Sequence, residues 1–134
     1  MTLVAVPIEV DDPSDVETAL EQARRAQSGG ADLVEFRIDV LVEHAEGVAA
    51  ARRLVQGSPL PVLLTCRSEA EGGSWRGEET DRVSFLEAIG TDEMAPQFLD
   101  FEEAAWSRSA NIRQKVRLVV NHPQQVRPDR CLLY

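Results

Sequence analysis

Short apolar runs recur along the chain, and each is followed by a stretch whose apolar residues return every three or four positions. Leu3-Val4-Ala5-Val6 is the first run and predicts a buried strand. Asp11-Asp12-Pro13 follows, with Asp12 placed to cap a helix and Pro13 at its first position. Val16, Leu20, Ala23 and Ala26 then share one helical face, and Gly29-Gly30 closes the helix. A second strand is expected over Asp32 to Asp39, and a second helix over Glu43 to Gln56, ended by Gly57-Ser58-Pro59. The third strand starts at Val62 and runs into Arg67, Ser68, Glu69 and Glu71, then two glycines. Gly72 to Gly77, with Trp75 and Arg76, reads as a mobile loop. Glu78 to Ile89 reads as a helix with Val83, Leu86 and Ile89 on its apolar side, and Gln97 to Glu102 as the fourth strand. Glu103 to Asn111 is expected to be helical and Val116 to Asn121 to be a fifth strand, with no clear element beyond His122.

Strands alternating with helices across short loops imply right-handed βαβ units and a parallel sheet. A doubly wound open sheet and part of a (β/α)8 barrel both fit that order. Period-two alternation favours the barrel. Val34, Phe36 and Ile38 share one face of strand two, and Leu33, Glu35 and Arg37 the other. Strand three repeats this, with Leu63, Thr65 and Arg67 opposite Val62, Leu64 and Cys66. Asp100 and Glu102 oppose Leu99 and Phe101 on strand four, and Leu118, Val120 and His122 align on strand five. One face is apolar throughout; the other is apolar low down and charged toward the C-terminal strand ends. A barrel interior topped by an active site needs that pattern, whereas an open doubly wound sheet wants both faces apolar. The expected fold is α/β, a partial (β/α)8 TIM barrel of about four βα units plus a fifth parallel strand. Residues 1–134 are expected to form a single domain.

Charge narrows the partners. The chain has 23 acidic against 14 basic residues, a formal net charge of −9, which disfavours nucleic acid and anionic membrane. A small anionic substrate remains open, because a pocket can be locally basic. Lys115 is the only lysine, so Schiff-base chemistry has a single candidate within this chain. Cys66 and Cys131 lack metal-ligand spacing, and Cys66, inside an apolar strand, is expected to be a buried free thiol. A reducing, cytoplasmic setting fits, with no signal peptide and no apolar run of transmembrane length. Neither a dinucleotide fingerprint, a P-loop, a nucleophile elbow nor zinc spacing occurs.

The candidate chemistry gathers at the predicted strand ends. Glu35 and Arg37 are two apart and share a face; they form either a structural ion pair or part of a site. Arg67, one strand over, has a guanidinium suited to bidentate recognition of a carboxylate. Glu71 lies just beyond the strand. Asp100 and Glu102 face the same interior, where one or both neutralise the arginines. His122 ends the fifth strand and is aimed at the same mouth, as a structural residue or as the proton carrier natural to neutral pH. His44 is expected on a helix and in solvent, and Trp75 and Trp106 to serve loop and packing. The residues alone point to acid–base chemistry on a small polyhydroxylated anion.

Several of these pieces, in this order, resemble type I 3-dehydroquinate dehydratase. Glu35-Phe-Arg-Ile-Asp39 is similar to that family's Glu-aromatic-Arg-x-Asp strand. Thr65-Cys-Arg-Ser-Glu-Ala-Glu-Gly-Gly73 resembles its Arg-Ser-x-x-Glu-Gly-Gly motif, Leu99-Asp-Phe-Glu102 its Asp-x-Glu strand, and Val120-Asn-His122 its Asn-His strand end. The resemblance implies a (β/α)8 barrel without metal or cofactor. A lysine forms a Schiff base with the ketone of 3-dehydroquinate, and a histidine moves protons during loss of water. It implies His122 as general acid/base, Glu71 as the acid supporting it, and Glu35, Arg37 and Arg67 as substrate-binding residues. The family's lysine lies on the strand after the histidine strand, and Lys115 precedes strand five, at the opposite end of the barrel from the mouth. The expectation is therefore the N-terminal half of such an enzyme, or a truncated homologue. As an alternative, the chain is a non-catalytic half barrel that self-associates or binds a shikimate-like anion. Open strand edges predict a homodimer or pairing with a missing half barrel.

Overall fold

The apolar runs pair side by side in chain order. A computed structural model describes residues 2–103, Ala110 and 131–133. Within these residues, β1 (Ala5–Glu9), β2 (Leu33–Arg37), β3 (Val62–Thr65), β4 (Phe98–Phe101) and β5 (Cys131–Leu133) form one sheet in the order β1-β2-β3-β4-β5, every pair parallel. Helices α1 (Val16–Ser28), α2 (Gly47–Gly57) and α3 (Glu79–Gly90) link the first four strands. A strand order that never reverses is the barrel wrap; a doubly wound sheet reverses at a switch point.

Burial follows the period-two pattern. Val34, Phe36, Leu64 and Leu99 are fully buried and join Val16, Ala23, Ala51, Leu54, Leu86 and Ile89 in one core between sheet and helices. On the other face Leu33 and Leu63 are buried low down, while Ala5, Pro7 and Glu9 of β1 are exposed. At the start of α1 the Asp12 carboxylate accepts hydrogen bonds from the backbone N–H and hydroxyl of Ser14, at 2.8 and 2.7 Å, through a 3-10 turn at Pro13–Asp15. These bonds hold the Asp12 carboxyl below its usual range.

Three expectations change. The second helix does not begin at Glu43. A 3-10 turn at Leu41–Glu43 precedes it, and α2 starts at Gly47, so His44 lies in a turn and is half-buried instead of helical and solvated. Gly47 passes so close to the Leu41 carbonyl oxygen that a Cβ there would collide with it, and its N–H donates to the His44 carbonyl at 2.9 Å. The Gly72–Gly77 segment is not a bare mobile loop. Trp75 is buried in the core and bridges back to Ser68. Its N–H donates to the Arg67 carbonyl at 3.1 Å, and its carbonyl accepts from Glu69 N–H at 2.9 Å. Gly73 and Gly77 are needed for close approach, to the Arg67 carbonyl and the Trp75 ring respectively. The described fifth strand is Cys131–Leu133, where no element was expected, with Leu99 opposite Cys131 and Asp100 opposite Leu132. Three residues are too few to register as a run against the four to eight that mark a strand in sequence. Val116 to Asn121, His122, Lys115 and Trp106 lie outside the described residues, as does most of the helix expected over Glu103 to Asn111.

The approach at Gly47 makes a stability prediction. Gly47→Ala should destabilise the fold by about 1–3 kcal/mol, the usual cost of forcing a methyl group into packed backbone. Urea unfolding of the two proteins measures it, and equal midpoints would contradict the close approach.

Candidate active site

Strand β3 ends at Thr65, but its pairing does not stop there. The last ladder bond toward β2 runs from Ile38 N–H to the Thr65 carbonyl at 2.9 Å. Successive amides of an extended chain point to opposite sides. Beyond Cys66, the next two are taken by carboxylates that stand just past the neighbouring strands. Asp39, after β2, accepts from Arg67 N–H at 2.8 Å. Glu102, after β4, accepts from Ser68 N–H at 2.7 Å. The Arg67-Ser68 dipeptide is therefore held from both sides, and the loop bearing Glu71 leaves from it.

Both carboxylates have further partners. Asp39 accepts from Arg37 Nη2 at 2.6 Å and from Ser74 N–H at 3.1 Å. Glu102 accepts from the Ser68 hydroxyl at 2.8 Å and from the Arg82 guanidinium. Arg82, buried on α3, also donates to the Cys66 carbonyl at 3.0 Å and pairs with Glu79. Burial opposes ionisation of Glu102, yet the bonds from Arg82 and Ser68 outweigh it and hold the carboxyl below its usual range. Asp100 goes the other way. Burial pushes its carboxyl up, although its Oδ2 accepts from Arg67 Nη2 at 3.0 Å. Cys66, buried against Arg82, keeps its proton because desolvation raises the thiol far above neutral pH.

A cleft of about 440 Å³ opens above these strand ends. Ala5 and Leu63 form its apolar part; Glu35, Arg67 and Glu71 line it together with Asp100 and Glu102. Of the residues expected to form a site, the structure thus brings Glu35, Arg67 and Glu71 together. Arg37 is not among the lining residues. Its ion pair is with Asp39 rather than Glu35, at 2.6 Å, and it joins the cleft only through that shared carboxylate. His122 lies outside the described residues. Asp100 and Glu102 do neutralise arginines, Arg67 and Arg82 respectively. A wider groove of about 570 Å³, lined by Asp12, Ser14, His44 and Arg53 among others, contains none of the expected site residues. Among the described residues no group of three or more His, Cys, Asp or Glu is arranged to hold a metal ion, and no helix is long and apolar enough to cross a membrane.

Two structural partners escaped the sequence reading. Asp39 was legible as a third polar residue in the alternation Glu35, Arg37, Asp39. Arg82 carried a fainter signal: it sits three residues after Glu79, beside Val83, on the buried side of α3.

With this geometry in hand, comparison with known proteins is direct. The family profile described as Type I 3-dehydroquinase matches residues 4–127. The chain belongs to that family. The 3-dehydroquinate dehydratase of Methanosarcina acetivorans is 39% identical over 92 residues, which is 67% of this chain and 38% of that protein. The enzyme of the same name from Methanococcoides burtonii is 30% identical over 118 residues, covering 83% of this chain and 50% of that protein. The chain thus spans about half the length, or less, of these curated relatives. The crystal structure of type I 3-dehydroquinate dehydratase from Clostridium difficile aligns with a TM-score of 0.74 at 18% identity, over 98% of this chain and 49% of that one. That likeness carries the fold: a partial barrel.

Two predictions follow from the clamped dipeptide. Asp39→Ala leaves the Arg67 and Ser74 amides without their acceptor and should cost about 3 kcal/mol in urea unfolding, given about 1.5–3 kcal/mol for a bond to a charged group. The second concerns acid. A carboxyl held below its usual value contributes stability at pH above that usual value and loses it as pH falls through the lowered one. Glu102→Gln should therefore show a shallower loss of stability than the wild type below about pH 4.3. Parallel acid limbs for the two proteins would refute a charged Glu102 in the folded state.

Proposed function

We propose that this chain builds the first half of the active site of a type I 3-dehydroquinate dehydratase, the lyase that removes water from 3-dehydroquinate to give 3-dehydroshikimate in the shikimate pathway. The observation that carries this reading is the convergence of Glu35, from within β2, and of Arg67 and Glu71, from the segment that follows β3, on one cleft. In this reading Arg67 and Glu35 bind the substrate, Arg37, which does not line the cleft, supports them through Asp39, His122 moves the proton and Glu71 supports it. In this reading a second half barrel contributes the amine of the Schiff base, and the imine is the electron sink that makes the neighbouring C–H acidic. The cleft is rich in acceptors: four carboxyl groups stand against the single guanidinium of Arg67 among the described lining residues. Such a wall suits a ligand with several hydroxyl donors and one negative charge better than a polyanion. The setting in this reading is the cytoplasm, with the chain paired to a complementary half barrel or to itself.

The test is reconstitution. The chain alone should not turn over 3-dehydroquinate. Mixed with a polypeptide carrying the second half of the Methanosarcina acetivorans barrel, it should release 3-dehydroshikimate, followed by the absorbance of the new conjugated enone. Arg67→Ala should lower that rate on the order of 100-fold or more, the scale on which loss of one preorganised donor is felt. An unchanged rate in the Arg67→Ala mixture would remove the site from where it is drawn here.

A second reading has its own support. Ala5, Pro7 and Glu9 leave the first strand exposed on the open face, and Leu3 and Val4 before it are about half exposed, at 50% and 53%. An uncovered strand of this kind favours a half barrel that associates without catalysing. Sedimentation at micromolar concentration separates the cases: a purely monomeric chain would count against self-association.

A further inference from the structure

Arg82 does not line the cleft, and its side chain is 3% exposed, so it cannot touch anything bound there. An arginine is nonetheless an expensive group to bury, and this one has an unpartnered Nε among the described residues. Its bonds explain the placement. One guanidinium nitrogen donates to both the Cys66 carbonyl and Glu102, and the other pairs with Glu79 on its own helix. Glu102 in turn holds the Ser68 N–H and hydroxyl. From Ser68 the loop is propagated by backbone: its carbonyl accepts from Gly73 N–H at 2.8 Å and Glu71 N–H at 3.1 Å. Trp75 N–H then closes on the Arg67 carbonyl. Arg82 thus stands behind the cleft wall, at the root of the only turn that carries Glu71.

We propose that Arg82 is a positioning residue of this site: acting through Glu102, it locks the Ser68 turn and so sets the aim of Arg67 and Glu71 into the cleft. The assignment rests on the function proposed above, which names what Arg67 and Glu71 do there. Electrostatics agree with the geometry. Glu102 shares its surroundings with Asp100, and Arg82 is the cation that allows it to remain a carboxylate able to accept from two Ser68 donors. Lysine is not equivalent, since one ammonium cannot reach the Cys66 carbonyl, Glu102 and Glu79 in a fixed fork.

A single deletion would strand a buried charge and confuse positioning with folding. Replacing both partners avoids this, because a buried ion pair exchanged for apolar residues of similar size is often neutral for stability. The 134-residue chain carrying Arg82→Met and Glu102→Leu together is therefore compared with wild type and with Arg82→Lys by amide hydrogen exchange. The amides of Glu69, Gly73 and Trp75, none of which bonds to Arg82 or Glu102, should exchange at least about tenfold faster in the double variant. Those of Leu64 and Leu99 in the core should not change, and Arg82→Lys should fall between. Protection of the turn at wild-type level overturns the proposal. So does a uniform loss across core and turn, which would make the pair structural only. In the reconstituted mixture the double variant should lower kcat more than it raises KM. Equal effects on a folded variant would also overturn the role. If wild-type reconstitution yields no turnover, the functional reading fails, while the exchange comparison still decides whether Arg82 locks the turn.

Discussion

Two carboxylates holding two consecutive amides are the constraint on which the rest of this structure depends. A parallel strand that ends must hand over its last N–H groups to something, because buried donors left unpaired are costly. Here Asp39 and Glu102 do what neighbouring carbonyls would have done, one on each side of the Arg67-Ser68 dipeptide. A carbonyl would only have extended the strand. A carboxylate has a second oxygen, and both use it: Asp39 reaches Arg37 and Ser74, and Glu102 reaches the Ser68 hydroxyl. The strand end is thereby joined to the loop that follows it, and the side chains of Arg67 and Glu71 are presented by a backbone with little freedom. Packing agrees with the hydrogen bonds, since Trp75 brings the far end of the same loop down into the core.

The fold was legible because it rests on period-two alternation, which β2, β3 and β4 each state independently. Val34-Phe36, Val62-Leu64 and Leu99-Phe101 all face the helices, and the opposite faces all become polar toward the C-terminal end. Glu35 and Arg67 were legible for the same reason, whereas Glu71, beyond the strand end, was legible through the resemblance of Arg67-Ser-Glu-Ala-Glu-Gly-Gly73 to the family motif. What the alternation could not express is which acid takes which arginine. Glu35 and Arg37 share a face two residues apart, yet the guanidinium turns to Asp39, which offers two oxygens at the strand's end. His44 was misplaced because helical spacing of apolar residues tolerates a break, and only the contact of Gly47 with the Leu41 carbonyl imposes one. Arg82 was missed because a charged residue on a helix is ordinarily solvated. Its burial follows from Glu102, which is 20 residues away in sequence.

The charges near the cleft divide by task. Arg37 and Arg82 are occupied with Asp39 and Glu102 and are largely withdrawn from solvent, with side chains 18% and 3% exposed. Arg67 is tied to Asp100 but stays 31% exposed, so it remains the cation that an incoming molecule meets. Asp100 is the least settled of the acids. It is buried, it has one oxygen without a partner among the described residues, and burial raises its affinity for a proton. Among the described lining residues one part-exposed guanidinium stands among four acids, and such a wall would select by pattern rather than by net charge. This is how a chain with a net charge of −9 is compatible with an anionic ligand.

The division between what is finished and what is open in this sheet follows the same logic. The described interactions that fix Arg67 and Ser68 come from β2, β4, α3 or the loop itself, all within a span of adjacent units. None requires β1. The exposed side of β1, by contrast, carries Ala5 and Pro7, with Glu9 as its one polar residue. Half a barrel can therefore possess an ordered half site, because in a fold of repeated βα units the order at each strand end is set by its two neighbours. Order at the strand ends does not by itself exclude water from the face those strand ends look onto. In water, hydrogen bonds and charge pairs to a ligand are weakened by the high dielectric, however well their donors are held. The aim of Arg67 and Glu71 and the strength of what they do are thus separable. The first belongs to this chain, and the second depends on whatever covers the open face.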